Sequence, residues 1–318
     1  MGLTKYPNGV SSFGAPVLPG TTPDVIVGNV FFVGKTASTK WIAGADDPSY
    51  GTLEQPFATI DYAIGKCTAS QGDVIYVLPG HTETISAAGG ITCDVAGVSI
   101  IGLGNANLRP TITWSATTSS WLVTAANVTI KNILCYPGVD EVGSMFSVSA
   151  AGCTFNAVDL KEGGALGATY QAVQFMLTTA DADQLTIMNC DHRQFTAANA
   201  NQVWIDLVGT NSTKIINNTF YLTVKAATAS ICISGSTAVT QCEIAFNRII
   251  WLGNTVTNII KLVTTSTGVI YNNYLGGGSA VLLAATIVGD ACWNFENYAS
   301  NTVTGSGTLA PTVADVVT

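Results

Sequence analysis

A chain of 318 residues, 47% apolar and only 10% charged, has room for two ordinary domains or one elongated repeat domain, and recurrent Thr, Val, Ile, Asn and Gly favour the repeat domain built from β structure. Twelve basic and twenty acidic residues give a net charge of −8 with no Lys/Arg cluster, which excludes a nucleic-acid groove. The longest apolar runs fall far short of a membrane span, so no membrane partner is expected.

Residues 1–24 are punctuated by Pro7, Gly9, Gly14, Pro16, Pro19, Gly20 and Pro23 and keep no period of 2 or 3.6, which predicts an extended arm. Tyr6, Phe13, Val17 and Leu18 are too apolar for a freely solvated linker and mark the arm as an anchor that lies on another surface. Residues 25–50 form a β-prone lead-in containing Val25 to Val33, followed by the turn Ala45-Asp46-Asp47-Pro48. Adjacent carboxylates in such a turn lack the alternating spacing of a calcium loop, so Asp46 and Asp47 are read as solvated rather than metal-binding.

From Gly51 the pattern sharpens. Phe57, Ile60, Ile64 and Cys67 fall at helical spacing behind Pro56, which predicts a capping helix over residues 56–70 that Gly72 can end with a positive φ. Val74 to Leu78 is an unbroken apolar run closed by Pro79-Gly80, as in a strand buried on both faces. An apolar-x-Asn-x-apolar pattern then recurs, centred on Gly102, Asn132, Ala157, Asn189, Asn218, Asn247, Asn273 and Asn297, at intervals of about 24 to 32 residues.

Short β runs at that interval, with no intervening helical periodicity, predict an all-β chain: a right-handed parallel β-helix of roughly nine coils over residues 51–300, with a tail over 301–318. A propeller needs longer repeats and a sandwich needs more frequent hairpins. Asn132, Asn189, Asn218, Asn247, Asn273 and Asn297 are read as one structural column whose amides bond between coils about 4.8 Å apart. Eight cysteines spread singly are read as reduced core residues, and the start of the chain shows no signal sequence.

The chemistry-bearing residues are few. Asp159 and Asp191 share a column on consecutive coils, each followed two residues later by Lys161 or Arg193, so they are the weak catalytic candidates. A carboxylate pair about 5 Å apart suits a retaining glycosidase, but a charge ladder explains the pattern better. His192 should face away from both carboxylates, and His81 is read as a surface or cap residue. Gly102-x-Gly104 and Gly276-Gly277-Gly278 open no helix and are read as coil turns rather than phosphate loops. No metal or cofactor is implied. Trp114, Trp121, Trp204 and Trp251 lie outside the Asn column and are candidates for an exposed contact surface, with core packing as the alternative.

The stretch with Gly51, Thr52, Pro56, Phe57, Thr59, Ile60 and Ala63, then Gly72, Asp73, Ile75, Val77, Pro79 and Gly80, resembles the start of the pectate-lyase-like β-helix proteins, with Thr82 where an aromatic is usual. Residues Thr4 to Gly14 also resemble the start of tailed-bacteriophage structural proteins that carry such a body. Together the resemblances imply a virion component: a capsid decoration (cement) protein bound to the major capsid protein, trimeric as such proteins commonly are. The alternatives they imply are a tailspike-type polysaccharide depolymerase or lyase and a host-surface-glycan-binding tail protein.

Overall fold

The computed structural model describes residues 28–162, 170–195, 202–223, 230–252, 258–277, 287–289, 291–301 and 305–308, together with Ser11–Ser12 and Ala15–Pro16. Those last two pairs run antiparallel to each other. The arm residues Tyr6, Phe13, Val17 and Leu18 lie outside the described residues.

The body is an all-β, right-handed parallel solenoid with three faces. The first face begins at Val30–Val33, which pairs in parallel with Val74–Val77, and then climbs through Ser99–Gly102, the first half of Thr129–Pro137 and onward to Cys292–Phe295. The second face runs from Thr82–Ile85 and Thr111–Trp114 to Tyr298–Asn301. The third is an eight-stranded sheet from Ile91–Cys93 to Ile287–Val288.

The solenoid completes about seven turns, fewer than the nine expected, because its first and last rounds are incomplete. At the start, a helix occupies the third-face position ahead of Ile91–Cys93. At the end, Gly305–Thr308 folds back antiparallel on Tyr298–Asn301.

The expected helix over 56–70 is a five-residue helix, Ile60–Ile64. It cannot start earlier because Phe57 is extended and bridges Val33, while Thr59 takes a β conformation and its side chain caps Tyr62 N–H. Asp61 Oδ1 accepts from Thr92 N–H at 2.9 Å, so the helix satisfies a ladder donor of the first third-face strand. The free edge of Val30–Val33 is covered by the chain just before the helix: Phe32 N–H donates to Gly51 O, and Phe57 N–H to Phe32 O. Gly51 has φ +108°, and a Cβ there would meet the Phe57 ring at 2.6 Å. The lid is therefore the Gly51–Phe57 segment and helix together, and the first strand is Val30–Val33 rather than Val74–Leu78.

Val74 to Leu78 is buried on both faces, as its apolar run implies. Asp73 is fully buried beside it. One of its oxygens accepts from Asn29 N–H and the other from Thr68 N–H, which ties the lead-in to the helix exit.

Candidate functional site

One corner of every round, between the first and second faces, gathers most of the polar candidates. The chain turns there through a residue with positive φ: Asn132, Ala157, Asn189, Asn217, Phe246, Asn272 and Glu296, one per round. Strand register shows that Ile130, Phe155, Ile187, Ile215, Ile244 and Ile270 share one inward column. Asn132 and Asn189 therefore stand in the left-handed outer column, one position before the column that holds Asn218, Asn247, Asn273 and Asn297.

The single Asn column expected from the sequence is thus two columns. The inner four are buried and bond in series: Nδ2 of Asn218, Asn247 and Asn273 each donates to Oδ1 of the next, at 2.9–3.0 Å. Each of these Oδ1 atoms also accepts the backbone N–H of the preceding Asn. Each Nδ2 reaches back to a strand carbonyl, Ile187, Ile215, Ile244 or Ile270. The outer column is half-buried to exposed and more loosely linked, with Asn217 Nδ2 donating to Asn189 Oδ1 and Asn132 Nδ2 to Gly102 O.

In the earlier rounds the inner column holds Ile133, Val158 and Cys190, which cannot satisfy the corner. Arg109 does so instead. Its Nη2 donates to Ile133 O and Ala157 O, and its Nη1 pairs with Asp159, both side chains being 13% exposed. The other Asp159 oxygen accepts from Asp191 N–H at 2.8 Å. Asp191 itself pairs with Arg193 in a half-exposed bridge at 3.0 Å.

Asp159 and Asp191 do share a column, but Asp159 clamps Arg109 rather than facing Lys161. Both oxygens of Asp159 are engaged by donors, Arg109 on one and Asp191 N–H on the other.

His192 faces the core, as the alternation predicts, and is fully buried. Its Nδ1 accepts from Trp204 Nε1–H at 2.8 Å, and its Nε2–H donates to Val158 O at 3.0 Å. Burial lowers its pKa to about 4, against the raising pull of the Val158 bond. His81 is buried rather than at the surface: Nδ1 accepts from Lys35 N–H and Nε2–H donates to Glu83, whose Oε2 also receives Ile60 N–H at the helix start.

Asp46 spends both oxygens on Ala58, Thr59 and the Thr59 hydroxyl, and Asp47 closes a local turn with Ser49. The cysteines are free thiols, and burial pushes Cys93 and Cys190 up to about 12, far from a reactive thiolate.

The four tryptophans expected at a contact surface are all fully buried. Trp114 and Trp121 sandwich Phe146, and Trp204 lies against Phe175 and His192. The exposed aromatics lie elsewhere. Phe246, Trp293, Phe295, Tyr274 and Tyr298 are 40–68% exposed and flank the same corner over the last three rounds.

On the first-face side, Tyr271 stacks on Phe295 at 5.1 Å with planes 9° apart, and Phe246 meets Tyr271 edge-on. On the second-face side, Tyr274 stacks on Tyr298 at 5.3 Å. The Tyr271 hydroxyl donates to Glu243, which raises the tyrosine's pKa, and Glu243 in turn pairs with Lys214. Alternation with inward Cys292, Leu275 and Ala299 places Trp293, Phe295, Tyr274 and Tyr298 outward, whereas Phe246 turns out through its positive φ.

No family model matches the chain, and no curated protein sequence matches it. Among solved structures, a rhamnogalacturonan lyase is similar at 15% identity and a TM-score of 0.45, over 89% of this chain and 90% of that one. A second, Geobacillus virus E2 ORF18, is similar at 12% identity and a TM-score of 0.30, over 76% of this chain and 57% of that one. Both are likenesses of chain path alone.

Proposed function

We propose that the chain is a non-enzymatic structural protein of a tailed-bacteriophage particle, a capsid decoration protein. In this reading residues 1–24 grip the major capsid protein and the β-helix body stands on the shell, assembled in the bacterial cytoplasm. The observation that carries the non-enzymatic half is the Arg109–Asp159 clasp, which commits the more buried candidate carboxylate to backbone and guanidinium partners. The virion half rests on the resemblance of the arm to tailed-bacteriophage structural proteins, taken with that of the Gly51-to-Gly80 stretch to pectate-lyase-like β-helix proteins.

Deleting residues 1–20 should abolish incorporation into particles while the body stays folded by circular dichroism. Normal occupancy of purified particles by the truncated protein overturns the anchoring role. Copy number per particle then separates a shell position, with hundreds of copies, from a tail position with a few.

A further inference from the structure

We infer that the aromatic corner of the last three rounds is a self-association face, which pairs two copies of this chain side by side about a two-fold axis. This goes beyond the virion reading and stands independently of it.

The first support is strain. Phe246 has φ +57° at a position held by Asn in four other rounds, and its ring is 52% exposed. A bulky side chain in the left-handed region is a strained outlier, and nothing in the core repays it. An exposed, strained phenylalanine beside four other exposed rings is explained by a surface that covers it.

The second support is area and composition. Five rings, each about half exposed, present on the order of 500 Å² of apolar-rich surface, counting roughly 200 Å² for a whole ring. That reaches the upper range of patches on monomers and supplies most of the roughly 800 Å² per partner of a standard interface, with a polar rim to add the rest. The polar groups nearest the stack are already spent on each other, Tyr271 on Glu243 and Glu243 on Lys214. Tyr271 and Phe295 also cover one face of each other.

The third support is charge. Arg248 and Glu296 are both exposed, on neighbouring columns at opposite ends of the patch, in the first and third of its three rounds. Neither forms an ion pair among the described residues. A two-fold axis crossing the middle round at right angles to the solenoid exchanges first and third rounds. It brings Arg248 of each copy beside Glu296 of the other, as an isologous interface requires. The pairing is two-fold, where the resemblance to phage proteins implies a trimer.

Sedimentation velocity of the full chain over a concentration series tests it. Wild type should approach twice the monomer mass. Phe246→Asn, which suits the left-handed backbone and should melt no lower, and Trp293→Ser should each weaken pairing at least tenfold. Arg248→Glu and Glu296→Arg should each weaken it, and the double variant should restore it. A wild type that is monomeric throughout, a trimeric mass, unchanged pairing in Phe246→Asn, or no rescue in the double charge swap each overturns the proposal.

Discussion

The corner between the first and second faces is built twice in this molecule, by different chemistry. Through Ala157 its inner carbonyls are held by one guanidinium, Arg109, steadied by Asp159; from Asn218 onward a run of amides does the same work one round at a time. The first solution is a single clasp spanning several rounds, so its loss is shared by all of them. The second is a chain in which every member has a donor and an acceptor neighbour. The exposed aromatics gather along the second.

The largest effect is expected in the amide run. Asn247→Ala strips acceptors from Asn218 N–H and Nδ2 and donors from Ile215 O and Asn273 Oδ1, all buried, and should cost about 4 kcal/mol in urea unfolding. A loss near 1 kcal/mol would show the amides to be replaceable. Arg109→Met leaves the Asp159 carboxylate and two carbonyls unpaired and should cost about 3 kcal/mol. Adding Asp159→Asn should recover part of that loss, and full additivity of the two would deny the clasp.

Acid sharpens the contrast, because only the clasp half packs a histidine beneath the corner. The folded pKa of His192, about 4, lies below its ordinary 6.5, so the unfolded chain binds the extra proton first as pH falls. Stability should therefore fall by about 3 kcal/mol between pH 6.5 and 4, relative to a His192→Gln variant that unfolds without this slope. Coincident pH profiles of the two proteins would remove His192 from the account. The smallest effect is a gain. Ala157 sits at φ +53° where Asn occurs in sister rounds, so Ala157→Asn should stabilise by about 1 kcal/mol, read as a higher melting temperature.

The solenoid was legible because its strands are short apolar runs repeated at one coil length, and the Gly51-to-Gly80 stretch announced its start. The phase of the corner was not. Ile215 and Ile216 are both apolar and Asn217 and Asn218 are both amides, so the pattern aligns equally well one residue off, and a one-residue slip exchanges inside for outside. Asn132 and Asn189 were misplaced for that reason. The tryptophans were readable in principle: Trp114 is two residues from Ile112 and Trp251 two from Ile249, which puts each on the core face. Neither the reach of Arg109 across rounds nor the bond that Lys35 N–H makes to buried His81 leaves a local trace, since these partners lie 24 to 50 residues away.

In the proposed function the corner's carboxylates hold the fold rather than turn over a substrate. Incubating the purified chain with host surface polysaccharide and following reducing ends and unsaturated products tests it most directly. The account predicts no product above the blank; turnover that disappears in Asp191→Asn, with the melting temperature unchanged, would contradict it.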